Sequence, residues 1–279
     1  MTRRALAPAT TKQVEFVSPP AIEVALAVGF QPLPALGAVE VVRLWESSFR
    51  RGFPKVQEQL RVTTLIEQFG PRSSLPSFRF ELGESPRLPR LWFLSPDESE
   101  LVQVQNDWFA RNWRQRDGGP EYPHYPKIRD PFAVDLSHLS EHIRRRKLGA
   151  FVPIHCELTY INHILLTPGE SDIRRVLGFF AEDAPMGPLG EPEAVRFGVQ
   201  WLISHEGEPV GRLHLTAEPA VRQTDMQDVT VLTMTARGRP IGEGAAGVLS
   251  FMDLAHDFVV RTFVAVTTDK MHNVWGLKS

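Results

Sequence analysis

Cysteine is all but missing. Cys156 stands alone among 279 residues, so no internal disulfide can form, a thiolate-rich metal site is ruled out, and a reducing compartment is the matching setting. Neither sign of charge dominates: 31 Lys plus Arg face 33 Asp plus Glu, for a formal net charge of −2, which leaves no global field to gather nucleic acid. Long apolar runs are missing too. No stretch approaches the roughly 18 to 20 apolar residues that cross a bilayer. Met1-Thr2-Arg3-Arg4 leads into Ala5 to Gln13, too short and polar for the apolar region of a signal peptide. A soluble cytoplasmic protein, off the membrane, is the expectation. There is no phosphate-cradling GxxxxGKS/T loop and no GxGxxG turn; Gly238, Gly242, Gly244 and Gly247 are spaced like a flexible turn ahead of a helix. No cofactor and no metal are expected, and no motif names a reaction.

What is present is patterning. With 42% hydrophobic residues, the chain can bury a sizeable core, and its 23 prolines fall mostly between apolar segments, as punctuation. Residues 1–20 read as an N-terminal arm ending in Ser18-Pro19-Pro20. Ile22 to Phe30 alternates like a strand, and Val41, Val42, Trp45, Phe49 and Phe53 predict an amphipathic helix over about 38–52. Strand signals follow at Phe78 to Leu82, Leu91 to Leu94 and Leu101 to Gln105. A helix is expected over Leu136 to Leu148 with Asp135 as its cap. The order then restarts: Ile154 to Ile164 alternates, a short helix fits Asp172 to Phe180, and strands fit Val195 to Ile203, Arg212 to Glu218 and Val229 to Ala236. The closing stripe Val248, Phe251, Met252, Ala255, Phe258, Val259, Phe263, Val266 is the clearest helix in the chain.

These signals predict an α+β protein of two halves, 21–150 and 151–279, each running strand, helix, three-strand meander, helix. The two tandem repeats would join their meanders edge to edge into one mostly antiparallel sheet covered by helices on one face. Such a plan is similar to the saddle of TATA-binding proteins or to a helix-grip fold, a likeness of architecture that implies no ligand.

Alternation also assigns a candidate surface. The face away from the helices would carry His155, Glu157, Thr159, Arg196, Gln200, Arg212, His214, Thr216 and Glu218, joined by Gln103 and Gln105. Beside it, Trp108, Arg111, Trp113 and Arg114 crowd into one short segment, a composition suited to a partner surface or to stacking on planar ligands. The alternative is that both tryptophans plug the junction between the halves. His155, His214 and Glu157 would make a metal set only if their strands paired in register. Cys156 falls on the core face, as an inert thiol. His256, beside Asp253 and Asp257 in the last helix, reads as a helix-surface or sheet-contact histidine with a local carboxylate partner; a proton-transfer role would need a substrate pocket. The tail His272-Asn273-Val274-Trp275-Gly276 should fold back, because Trp275 is too apolar to be left free.

Several short motifs carry a resemblance: Pro19-Pro20-Ala21-Ile22-Glu23-Val24, the stretch Gln103 to Arg114, Tyr122-Pro123 with Tyr125, Glu157-Leu158-Thr159-Tyr160-Ile161-Asn162, Ala255-His256-Asp257, and His272 with Trp275-Gly276. Together they resemble a family of bacterial proteins described only as sporadically distributed and of unknown function. The likeness implies a cytoplasmic protein of patchy occurrence, as for genes of defence, toxin or immunity systems. The expected function is therefore a non-enzymatic binding or regulatory protein, such as an accessory, antitoxin or immunity component, with a protein partner encoded nearby. The alternative is a small-molecule or nucleotide-binding sensor or enzyme using a cavity between the sheet and the closing helix. Nucleic acid is not an expected partner.

Overall fold

A computed structural model describes residues 15–69, 89–117, 119, 121–165, 173–180 and 194–278. In chain order these form β1 (Glu15–Phe16), β2 (Ala21–Phe30), α1 (Ala38–Leu44) running into a π-helical turn at Trp45–Phe49, β3 (Lys55–Gln59), β4 (Arg90–Leu94), β5 (Glu100–Val104) and β6 (Trp108–Arg114). There follow α2 (Pro126–Arg146), β7 (Pro153–Leu165), α3 (Ile173–Val176), β8 (Phe197–His205), β9 (Glu208–Arg222), β10 (Gln227–Gly238), α4 (Gly244–Val266), α5 (Asp269–Trp275) and β11 (Leu277–Lys278). Nine strands make one sheet in the order β3-β4-β5-β6-β2-β7-β10-β9-β8, and every neighbouring pair is antiparallel. The protein is thus α+β, with a large antiparallel sheet covered by helices.

The seam between the halves differs from the expected one. The meanders do not meet; β2 and β7, the first strand of each half, pair along most of their length, with Leu26 opposite Leu158 and Val28 opposite Cys156. These two strands are apolar enough on the core face to be central, whereas a meander edge is not. The edges of the sheet are β3 and β8, so the predicted mutual burial of meander edges does not occur. Each half orders its strands outward from this seam in the same way, but the first has the additional strand β3. Its α1 with the π turn is matched in the second half only by the four-residue α3 among the described residues. Recurrence of order is therefore what remains of the predicted repeat.

Other boundaries moved for identifiable reasons. The helix predicted over 38–52 changes to an i→i+5 turn after Leu44, with Arg50 N–H donating to Trp45 O at 2.8 Å; the extra residue brings Phe49 back onto the buried face of Val41 and Leu44. Helix α2 starts at Pro126, not after Asp135, since proline at the first helical position needs no N–H partner. Asp135 is consequently no cap but a buried mid-helix residue. The predicted strand Phe78 to Leu82 lies outside the described residues. Strands β3 and β6 were not anticipated, and the expected helix Asp172 to Phe180 reduces, within the described part, to α3.

On the helix side, Leu26, Leu158, Leu213, Met234 and Phe251 are fully buried in one continuous core. Helix α4 lies across β7, β10 and β9, while α2 lies across β6 and β2. The ring of Phe251 sits on the facing pair Gly211 and Gly238, where a side chain on either strand would collide with it. The tail returns as predicted: Trp275 is buried against Phe16 and Phe263, and β11 pairs with β1. None of the described helices is long and apolar enough to cross a membrane.

Candidate functional site

A cavity of about 280 Å³ opens on the helix side. It lies where α4, the middle of β7, the start of β2, the arm around Phe16 and the 122–127 loop converge. The sequence contains three tyrosines, and all three, Tyr122, Tyr125 and Tyr160, line this cavity with His256. His124 adopts a left-handed φ of 64°, which turns the chain between Tyr122 and Tyr125. Alternation along β7 puts Tyr160 on the core face with Leu158, and helical spacing in α4 puts His256 one residue beyond buried Ala255, at the cavity wall.

The polar groups form a directed chain. Tyr122 donates its hydroxyl hydrogen to Tyr160 Oη at 3.4 Å, and Tyr160 Oη lies 3.0 Å from His256 Nδ1. When Tyr160 donates to Nδ1, the imidazole carries its hydrogen on Nε2, which has no hydrogen-bond partner among the described residues. The imidazole stacks on Tyr125 with centroids 3.8 Å apart and planes 6° from parallel, while Tyr125 donates to Asp253 Oδ1 at 3.0 Å. Arg129 holds the same carboxylate from the other side. On the opposite wall, Asn162 donates through Nδ2 to Leu232 O at 3.0 Å, which leaves its Oδ1 as an acceptor.

Burial sets the charge state. It lowers the His256 pKa to about 4 against the opposing pull of Asp253. It raises the Tyr122 phenol to about 12 and those of Tyr125 and Tyr160 further. At neutral pH these four groups are uncharged, while Glu15 and Lys127 also line the cavity. Of the two placements expected for His256 the sheet contact holds, through Tyr160 of β7, but without the carboxylate partner: Asp253 bonds Tyr125 and Arg129, and Asp257 pairs with Arg261.

The sequence-derived candidates divide between the two faces. Arg111 and Trp113 lie on the helix side, not on the proposed surface. Arg111 is buried between Asp135 of α2 and Glu100, and Trp113 packs edge-on against Tyr122. Gln103, Gln105, Trp108 and Arg114 do lie on the opposite face with His155, Glu157, Gln200 and His214. Much of that face is closed or internally satisfied, however. Gln103 accepts from Arg90 and Trp92 and donates to Asn112, and Arg114 and Arg90 flank the Trp92 ring. Trp108 stacks on His155, and both are buried. Glu157 binds Arg237 at 2.5 Å; burial raises its pKa, but His155 and Arg237 outweigh that and hold it below the usual range. Gln200 is exposed opposite His214, and Arg196 precedes β8 rather than belonging to it.

The cover over this face is residues 60–69, an extended strap that pattern reading missed. Gln105 pairs with both backbone groups of Val62, accepting from its N–H at 2.7 Å and donating to its carbonyl at 3.1 Å. Thr64 rests on Gly29, where a β-carbon would approach Thr64 Cγ2 to 3.0 Å, so the close passage depends on glycine there. Glu67 then reaches His214 Nε2 at 2.5 Å and binds Arg212.

Strand β10 stands between β7 and β9, so the register needed for a His155, His214 and Glu157 metal set does not occur. Among the described residues, no cluster of three or more His, Cys, Asp or Glu is placed to hold a metal ion. Cys156 is sealed on the core face, and burial drives its thiol pKa upward, away from the reactive thiolate. Comparison of the chain with protein-family models, with curated proteins and with solved structures finds no match.

Proposed function

We propose that the chain is a non-enzymatic binding and regulatory protein whose effector is a small, uncharged, planar molecule held in the helix-side cavity. The observation that carries this reading is the neutral His256 imidazole at the end of the Tyr122–Tyr160–His256 chain, in one lining with Asn162 and the aromatic rings. A ligand with one acceptor and one donor at its ring edge matches His256 Nε2, a donor when Nδ1 accepts from Tyr160, and Asn162 Oδ1, and stacks on the aromatic wall. A charged ligand would lose its water without finding a counter-charge among Tyr122, Tyr125, Tyr160 and His256. At about 280 Å³ the cavity falls at the small end of the roughly 300–1,000 Å³ range of ligand sites, which suits a single heterocycle better than a nucleotide. The lining contains no serine, threonine or cysteine nucleophile, which favours binding over catalysis. An accessory, antitoxin or immunity setting, with a partner encoded nearby, rests on the family resemblance alone.

The test is a thermal-shift and calorimetric screen of uncharged nucleobases and related heterocycles beside the corresponding nucleotides. A neutral ring should raise Tm by several degrees at saturation. The gain should disappear in His256→Phe and Tyr160→Phe and survive in Glu67→Gln. Tighter binding of the nucleotides, or no response to any ring compound, overturns the reading.

A further inference from the structure

Residues 60–69 cross the face opposite the cavity from β5 to β9, five strand spacings or about 24 Å. The five residue steps from Val62 to Glu67 supply only about 17 Å even when extended, so the side chains of Gln105 and Arg212 must reach out to hold the ends. The contacts are of two kinds. Backbone is held through Gln105 on Val62 and through Arg212 Nη2, which donates to Gln68 O at 3.2 Å. A carboxylate is held where Arg212 and His214 converge on Glu67. Apolar burial contributes little: Leu65 and Ile66 are 57% and 59% exposed. Beneath the strap, His155 is 1% exposed; its Nε2 lies 3.9 Å from Glu157 Oε2 and makes no hydrogen bond among the described residues.

We infer that this face is a cradle for an extended acidic peptide, with residues 60–69 as its occupant in cis and an acidic segment of a partner protein as its occupant in trans. The cis segment shows what the cradle reads: the Arg61 guanidinium on Asn106 and Asp107 with main-chain groups on Gln105 at one end, and one carboxylate at the Arg212–His214 end. Between these points Thr64 rests on Gly29 while Leu65 and Ile66 face water and go unread, so a partner segment needs an extended backbone, a cation near Asp107, a small residue over Gly29 and an acid at the matching distance. A strap held by polar contacts and little apolar area is the kind of segment that opens at small cost, and its departure would bare Arg212, His214 and the His155 nitrogen together. A free small anion would satisfy Arg212 and His214 but would leave Gln105 without the amide it pairs with, which favours a peptide.

Fluorescently labelled peptides in trans test this on the full chain. The Glu67→Ala protein should bind a peptide of residues 59–69 at least tenfold more tightly than the wild-type protein does. A peptide with alanine at every position but Arg61, Thr64 and Glu67 should bind within about fivefold of it. The peptide with Gln in place of Glu67 should bind at least tenfold more weakly, and Glu67→Ala combined with Arg212→Ala should abolish binding. Equal binding of acid and amide peptides, failure of the alanine peptide, or no binding at all overturns the inference. So does light scattering that shows the strap exchanged between two copies with no response to added peptide. If Glu67→Ala loses its cooperative unfolding transition, Arg61→Ala takes its place, since it frees the other end by removing the contacts to Asn106 and Asp107, with the same outcomes required.

Discussion

The two faces of this one sheet keep their polar groups by opposite means. Around the helix-side cavity the groups are neutral and bonded in series, Tyr122 to Tyr160 to His256, and burial holds them neutral. Under the strap they are ions in pairs, Glu67 with Arg212 and Glu157 with Arg237, with His214 also bonded to Glu67. The difference follows from what covers each side. A helix packed on a sheet removes water over a wide area, so a charge there costs several kcal/mol unless well paired. A single extended segment leaves some water at its edges, and paired ions persist there with their side chains only partly buried.

The largest test of this contrast is the one charge pair that does lie between helix and sheet. Asp135→Ala would strand Arg111 in the core with only the half-exposed Glu100 as partner, and should cost about 3 kcal/mol in urea unfolding. The double replacement Arg111→Met with Asp135→Leu should recover most of that loss. Recovery would locate the penalty in the orphaned charge; its absence would mean that the pair itself contributes the stability.

Next in size is the response to acid. Because the folded-state pKa of His256 lies near 4, below its unfolded value of about 6.5, the folded state favours the neutral ring. The associated stability is complete above pH 6.5 and is lost as pH falls from there through 4, by up to ~3 kcal/mol. Urea midpoints at pH 7 and pH 4.5 should therefore diverge more in the wild type than in His256→Phe. Carboxylates such as Glu67 and Glu157 also sit low, but they act mainly below pH 4.5 and are common to both proteins. Equal slopes in the two proteins would show that His256 is protonated without penalty, and that the cavity is wet.

How much of this was legible in the sequence depended on whether an element has one wet side. Strands β7, β9 and β10 do, and their alternation gave both the strands and the correct face for His155, Glu157 and His214; α4 was equally plain. Strand β6 was hidden because it is buried on both sides. Phe109, Arg111 and Trp113 lie under helices, while Trp108, Ala110 and Asn112 lie on the strap side, so six of its seven residues are buried and no period-two signal survives. Strand β3 failed for the reverse reason, as a polar edge with four of its five residues exposed. The start of α2 was masked by Pro126 and Pro131, which read as loop. The cavity joins positions 122, 125, 160 and 256, and no local pattern links residues so far apart. The clustering of the chain's few tyrosines near motifs already singled out was the one usable hint.

The strap offers the finer comparisons. Glu67→Gln keeps the shape but removes the charge, and because its partners are partly exposed it should cost no more than about 1 kcal/mol. It should, however, speed proteolytic cleavage within 60–69 several-fold while leaving the rest of the chain resistant. Acid should do the same to the wild type. Burial raises the Glu67 pKa, but His214 and Arg212 pull it below its ordinary value, so the strap's hold is complete above about pH 4.5 and fades as pH drops below that.

The smallest expected effect comes from Leu65→Ser with Ile66→Ser. Two aliphatic side chains in mid-segment would normally be core, and their joint loss from beneath a helix would cost several kcal/mol. Here both face water, so the pair should shift stability by less than about 0.5 kcal/mol and leave cleavage of the strap unchanged. A loss of several kcal/mol would mean that the strap is pressed down by apolar contact after all. The polar anchors at Gln105 and Arg212 would then be secondary, and the contrast between a dry face and a wet one would fail on the side where it matters for displacement.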